Sequence, residues 1–240
     1  MAARWSESED GHGDAVCSAV IVPPTVALLP KLHIRPAVLS DIQGILVVHR
    51  EAFDDKFGYA FGSKRIAKGA EALATAWQRQ GTSSLRGMFV AEWGGSIIGT
   101  AMLRTWDMGR GHSAGATEQA FHQVLGLWGA ARSMFALSLL NHRINPNEGF
   151  ITDVAVLNSF RRRGVARMLL GYAEEKAQSL RKDYLGLYVS SKNRGARLLY
   201  ERLGFRQVRV RRSWLMRLVF RQRDWIYMRK ELRRSPSPRT

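Results

Sequence analysis

Cysteine is nearly missing from this chain: 240 residues contain one, Cys17. A single thiol excludes an intrachain disulfide and suits a reducing compartment. Acidic residues are also scarce, 20 against 37 Lys and Arg, for a formal net charge of +17. No apolar run is long enough to span a bilayer, since the longest, AVCSAVIVPPTVALLP, is broken by Pro23 and Pro24. The motif G-x-x-x-x-G-K-[ST] does not occur, which excludes a nucleotide P-loop. The opening MAARWSESEDGHGD is too acidic for a signal or transit peptide. Histidines lack metal-ligand spacing, so His33, His49, His112, His122 and His142 read as surface or packing residues, and no metal is expected. These absences lead to the expectation of a soluble, cytoplasmic protein.

What is present is globular: 45% hydrophobic and 24% charged residues, in a length that suits one large domain. Residues 1–30 carry one Arg against four acids and read as a poorly ordered lead-in. Residues 206–240 carry twelve Lys or Arg against two acids, and 233–240, RRSPSPRT, read as a disordered basic tail. Between them, residues 31–232 form a single domain. LHIRPAV predicts a strand, and LSDIQGILVVHREAF a helix with Ser40 or Asp41 as N-cap. SKRIAKGAEALATAWQRQ predicts a second helix over 63–80. GMFVAEWGGSIIGTAMLRTW predicts a hairpin turning at Gly94-Gly95. After a strandless insertion at about 107–147, FITDVAVL, VARMLLGYAEEKAQSLR, YLGLYVS and NRGARLLYERLGF alternate strand, helix, strand and helix. RQVRVRRSW and DWIYMRKEL close the domain as an antiparallel pair. The order is mixed α/β.

The turn between FITDVAVL and its helix carries Arg161, Arg162, Arg163 and Gly164, with Arg167 one turn on. A helix N-terminus has unpaired N–H groups and partial positive charge. Glycine lets backbone approach a ligand closely, and arginine forks match phosphate oxygens. The turn is a competent pyrophosphate cradle. On its own it is also an ordinary solvated turn of a basic protein.

The neighbouring residues decide between the two. Arg161-x-x-Gly164-x-Ala166 after an apolar strand resembles the acetyl-coenzyme A loop of the GNAT acetyltransferase superfamily. NRGARLLYERLGF resembles its second signature, with Asn193, Ala196, Leu199, Tyr200, Gly204 and Phe205 in place. The resemblance spans 32–105 and 148–232. Its LYERLGF block is nearest to ribosomal-protein N-terminal acetyltransferases. It implies a central, mostly antiparallel sheet with one splayed parallel strand pair, flanked by helices, and acetyl-CoA as co-substrate for transfer to a primary amine.

Residue by residue, the resemblance implies that backbone groups of Val154, Ala155 and Val156 pair with the pantetheine arm, Val154 donating to the thioester oxygen. Arg161, Arg162, Arg163, Gly164, Val165, Ala166 and Arg167 form the pyrophosphate loop, and Asn193 meets the pantetheine region. Tyr200 protonates the departing thiolate, a transfer from a reference pKa of about 10 to one of about 8.5. The base departs from the family pattern. Tyr188 stands where ribosomal-protein members carry a glutamate, and Phe150 where histone-type members carry theirs. Glu148, on the strand face of Phe150 by period-two alternation, is the first candidate. Asp153 is the second, on the opposite face unless a bulge intervenes.

Three stretches invite other readings. GRGHSA at 109–114 matches a dinucleotide fingerprint, but no acid lies between Glu118 and Glu148 to hold a ribose, so it reads as a loop. Phe121, Leu125, Trp128, Phe135 and Leu139 form an apolar stripe that serves as core or lid, with a dimer face or membrane-surface helix as alternatives. The basic aromatic run RVRRSWLMRLVFRQRDWIYMRK fits two strands, and also an acidic partner, RNA or a ribosome. Besides an acetyltransferase, a non-catalytic acyl-CoA sensor and an RNA- or ribosome-associated protein stay open.

Overall fold

The computed structural model describes residues 32–52, 77–78, 81–110, 142–212 and 224–232. The lead-in 1–30, nearly all of the expected helix at 63–80, the apolar stripe of the insertion and the tail 233–240 lie outside them. Seven strands form one sheet: β1 (Leu32–Pro36), β2 (Met88–Trp93), β3 (Ser96–Arg104), β4 (Glu148–Val156), β5 (Tyr184–Ser190), β6 (Arg206–Arg212) and β7 (Asp224–Glu231). Their order is β1-β2-β3-β4-β5-β7-β6, and every pairing is antiparallel except β4 with β5. The described helices are α1 (Ile42–Ala52), α2 (Val165–Ser179) and α3 (Arg194–Arg202). The mixed sheet with one parallel pair and flanking helices is the fold expected from the sequence.

Alternation along β5 sorts the two faces. Leu185, Leu187 and Val189 enter the larger core, where α2 contributes Val165, Leu169, Ala173 and Ala177 at four-residue spacing and α3 contributes Tyr200. The opposite face is covered at the β1–β3 end by α1, whose Ile42, Ile45 and Leu46 pack with Leu85, Met88 and Val90. At the β4–β7 end that face carries Gly186, Tyr188 and Tyr227 with Glu148. The entry to α1 differs from a simple cap. Asp41 sits in a 3-10 turn (Leu39–Asp41) and reaches back to accept from the Val38 amide at 2.8 Å. Arg35 donates to the same carboxylate at 2.6 and 2.8 Å and to Glu92 at 2.6 Å, joining β1, β2 and the helix start.

The hairpin turns at Gly94-Gly95, both with positive φ, as expected. Helix α3 ends in a Schellman motif around Gly204 (φ 91°). The Phe205 amide donates to the Tyr200 carbonyl and the Gly204 amide to that of Glu201, both at 3.0 Å. The two aromatic rings pack 5.9 Å apart beside it. The LYERLGF block is thus a helix terminus that fixes where Tyr200 lies.

Gly186 on β5 sets up a direct test of packing. A Cβ there would overlap the Glu148 carboxylate and the Tyr227 hydroxyl, whereas one at Gly171 on α2 meets nothing within 4 Å. Gly186→Ala should destabilise the fold by about 1–3 kcal/mol. Gly171→Ala should stabilise it by about 0.5–1 kcal/mol through helix propensity. Urea unfolding midpoints of the two variants should therefore move in opposite directions.

Candidate active site

Strands β4 and β5 pair only from Glu148↔Tyr184 to Ile151↔Leu187. Beyond that point β4 continues against β3, up to Val156↔Gly99, and β5 against β7, up to Ser190↔Trp225. The inner edges of Thr152–Val156 and of Tyr188 and Val189 therefore have no ladder partner in each other, and a gap opens in the sheet. Unpaired strand edges offer N–H and C=O groups to an extended ligand.

A bulge lies at the mouth of this gap. The β3–β4 register shifts between Thr100 and Met102, and Asp153 takes φ 55°. The Thr100 hydroxyl donates to the Asp153 carbonyl at 3.1 Å, and lies 2.9 Å from Nε2 of the buried His49. With its hydrogen given to Asp153, Thr100 accepts from Nε2–H. The extra residue reverses the side-chain alternation. Ile151 faces the larger core before it, Val154 and Val156 after it. Asp153 itself is exposed, its carboxylate accepting from Thr152 at 3.0 Å.

The arginine turn follows β4. Gly164 takes φ 83° as N-cap of α2, with no side chain capping the helix. The first amide that donates inside this helix is Met168, to Gly164 at 3.1 Å. The amides of Val165, Ala166 and Arg167 precede it and, by helix geometry, have no intrahelical acceptor. Arg162 also takes positive φ, 64°. Arg161 donates back to the Val156 carbonyl at 3.2 Å, and Arg163 lies over the Phe160 ring at 5.7 Å. Arg162, Arg163 and Arg167 are exposed. A diphosphate fits this turn: open amides, a glycine without Cβ and surrounding cations.

Tyr200 lies on the α2 side of the sheet, 8% exposed, in one apolar cluster with Val156 and Val165 and with Val154 packed against it. Burial pushes its phenol up to about 12, so the proton stays on at neutral pH. Asn193 is the N-cap of α3, its side-chain oxygen accepting from the Ala196 amide at 3.0 Å.

The opposite face holds Glu148, 1% exposed. Its Oε1 accepts from the Tyr227 hydroxyl at 2.6 Å, its Oε2 from the Asn145 amide at 3.1 Å, and both oxygens lie 3.0–3.1 Å from His142 Nε2. Burial opposes the charge, but the donors from His142, Tyr227 and Asn145 outweigh it and hold the carboxyl below its usual range. Tyr227 is pushed well above the usual phenol range by burial and by this hydrogen bond. The His142 ring stacks on Phe150 at 4.2 Å and meets Tyr188 and Tyr227 at 5.5 Å each. His142 packs, as one of the two expectations had it, and it is also bonded to the first candidate carboxylate. His49 is buried as well, while His33 is exposed. The signal for His142 was its place six residues before Glu148, across a turn that period-two reasoning does not follow.

Among the described residues no group of His, Cys, Asp or Glu could hold a metal ion, and no helix is long and apolar enough to cross a membrane. The sequence model of the acetyltransferase (GNAT) family matches residues 50–205. A 61-residue stretch is 36% identical to GCN5-related N-acetyltransferase 4, chloroplastic, of Arabidopsis thaliana. The match covers 25% of this chain and only 21% of that relative's length. Similar solved structures include one described as an acetyltransferase, with TM-score 0.57 and 23% identity over 84% of this chain and 100% of that one. Another is the paiA N-acetyltransferase of Thermoplasma acidophilum in complex with coenzyme A, with TM-score 0.54 and 13% identity over 84% and 99%. The ribosomal-protein-S18-alanine N-acetyltransferase of Escherichia coli aligns with TM-score 0.50 and 16% identity over 87% and 99%. These structures share the fold, the family model reaches from α1 through Phe205, and the chain therefore belongs to the acetyltransferase (GNAT) family.

Proposed function

We propose that the protein moves the acetyl group of acetyl-CoA to a primary amine by direct attack in a ternary complex. The observation that carries this reading is the gap between β4 and β5. It is flanked on one face by Tyr200 and the open amides of α2, and on the other by an aromatic cluster around a buried carboxylate. Acetyl-CoA, when bound, supplies an activated thioester. The edge of Val154, Ala155 and Val156 pairs with its arm, and the amide of Val154 faces the thioester oxygen, where charge develops. Arg161–Arg167 hold the diphosphate, the amides through hydrogen bonds and the side chains through charge. Asn193 keeps its capping role at the start of α3 and lines the pantetheine region. Tyr200 gives its proton to the departing sulfur. Coenzyme A bound to the Thermoplasma relative supports the choice of cofactor.

The acceptor enters on the Phe150–Tyr188 face, and an acetylation screen read by mass spectrometry should identify it among protein N-termini, lysine peptides, polyamines and small amines. A binding role for acidic partners, RNA included, has its own observation. Every residue of edge strand β6 is exposed, and Arg206, Arg209, Arg211 and Arg212 lie on it. Reversing the charge of Arg211 and Arg212 should reduce salt-sensitive RNA binding while sparing acetyl transfer to a small amine. Loss of transfer instead would tie β6 to the reaction.

Two further outcomes follow from the cofactor side. Asp tolerates positive φ better than most residues, so Gly164→Asp should fold, yet it sets a negative charge in the diphosphate turn. Calorimetry should show acetyl-CoA binding largely lost in this variant, and wild-type affinity would sink the assignment. Tyr200→Phe keeps the ring and removes the proton. Cofactor affinity should hold while turnover falls about 10²–10⁴-fold, the usual effect of losing a general acid. Unchanged turnover with chemistry rate-limiting would assign the proton to another donor.

A further inference from the structure

We propose that His142 is the proton acceptor of the transfer, with Glu148 as the positioning residue that holds its imidazole in the tautomer able to act; this rests on the acetyl-transfer reading above. Glu148 lies where two strands are still paired, and is too deeply enclosed to meet an amine. His142 connects it to the mouth of the gap. Its ring touches Phe150 on β4, one pair before the strands part, and Tyr188 on β5, the first residue after they part.

The tautomer follows from the donor count. An ionised carboxylate only accepts hydrogen bonds, and Tyr227 and the Asn145 amide already donate to it. At 3.0 and 3.1 Å from its two oxygens, Nε2 must carry a hydrogen. Neutral His142 then has its lone pair on Nδ1, the nitrogen turned away from Glu148. This is the arrangement that orients a basic imidazole in acyl-transfer triads. Once Nδ1 takes a proton, the resulting imidazolium faces an anion 3.0 Å away, so the charge forms beside its counterion.

The proton balance is complete. A primary amine at neutral pH is mostly ammonium and must lose one proton to solvent before it can attack. Its nitrogen bonds to the thioester carbonyl carbon and the C–S bond breaks. The proton shed by that nitrogen goes to His142 Nδ1, and the sulfur takes the proton of Tyr200. His142 then returns its proton to solvent, and Tyr200 is refilled from there.

Other ionisable groups face the imidazole. Glu148 of β4, Tyr188 of β5 and Tyr227 of β7 meet it directly, while Tyr184 of β5 and Arg229 of β7 lie farther along, the guanidinium 3.7 Å over the Tyr184 ring. Arg209 of β6 donates to the Tyr188 hydroxyl at 3.0 Å and lies 5.4 Å over the Tyr227 ring. Tyr184 and Tyr227 are shifted upward and stay neutral, and Arg229 stays charged. Glu148 already accepts from three donors, which leaves the neutral imidazole, with its second nitrogen turned from that carboxylate, as the proton acceptor of this set.

The test uses the full chain, acetyl-CoA and two probe nucleophiles small enough to reach any acceptor site, methylamine and hydroxylamine. Hydroxylamine is much the weaker base of the two, so once bonded to the carbonyl carbon its nitrogen sheds the proton with less help from a base than that of methylamine does. His142→Gln should bind acetyl-CoA as the wild type does by calorimetry. It should lose about 10²–10⁴-fold in kcat/KM with methylamine, and at least tenfold less with hydroxylamine. Glu148→Gln, which keeps shape, removes the anion that favours imidazolium. The rising limb of kcat/KM against pH should therefore move to lower pH, and nitrogen-resolved NMR should show His142 losing its fixed Nε2–H tautomer. Should His142→Gln fail to fold, this second variant and the wild-type NMR spectrum carry the test. Equal losses with both nucleophiles, an unchanged pH limb in Glu148→Gln, or a wild-type His142 protonated at Nδ1 would each overturn the inference and leave the acetyl-transfer reading standing. Wild-type protein that does not bind acetyl-CoA would overturn both.

Discussion

One buried anion organises the centre of this protein. The Glu148 carboxylate sits where β4, β5 and β7 meet, and an isolated carboxylate in such a place would cost several kcal/mol. It is tolerated because the Tyr227 hydroxyl, the Asn145 amide and His142 Nε2 all donate to it. Tyr227 comes from β7, and Asn145 and His142 from the segment that leads into β4, so satisfying the charge draws these two parts of the chain to one point. Gly186 belongs to the same solution, since any side chain there would occupy the space of the carboxylate. A fixed closed end is what lets β4 and β5 part a few residues later. Open sheet edges are expensive unless the flanking ladders are firmly placed, and here β3 and β7 continue to pair on the outer sides.

The bulge at Asp153 is the second constraint. Without the extra residue, period-two alternation would turn Val154 toward the acceptor face and break its contact with the Tyr200 cluster. With it, Ile151, Val154 and Val156 share one core. The Thr100 hydroxyl fixes the bulge from β3, and His49 in turn fixes Thr100, so the mouth of the gap is tied to α1. Both ends of the site are therefore held by short polar chains that run through the face opposite the cofactor loop.

Much of this was legible in the chain. Gly94-Gly95, the four-residue spacing of Val165, Leu169, Ala173 and Ala177, and Gly204 as a helix stop are local signals, and local signals survive folding. The arginine turn with Gly164 was readable for the same reason. Ser40 and Asp41 look like helix caps in the sequence, but Arg35, itself held by Glu92, ties the Asp41 carboxylate to β1. The bulge was stated only as a condition, because register is set by a partner strand over fifty residues away. The sequence marks His142 only as a surface or packing residue, because its partners Tyr227 and Tyr188 are brought to it by β7 and β5 from 85 and 46 residues further along. Long-range polar networks leave no periodic trace.

The two proton-handling groups of the proposed reaction are placed on opposite faces of the sheet, and their environments differ as their roles require. Tyr200 is surrounded by apolar side chains, which raise its phenol to about 12. Against a thiol reference of about 8.5, that gap corresponds to roughly 5 kcal/mol if the proton moved in full to a sulfur in water. The sulfur would not be in water. The burial that disfavours phenolate also disfavours thiolate, so a leaving group brought beside Tyr200 is raised with it and the mismatch narrows. Apolar surroundings thus serve a donor that must stay protonated until negative charge appears. His142 has the opposite need, a positive charge made easy to form, and it has an anion at 3.0 Å. Because the sheet separates them, neither group can neutralise the other directly. Each cycle must exchange its protons with solvent, one on each side of the gap through which the acetyl group passes.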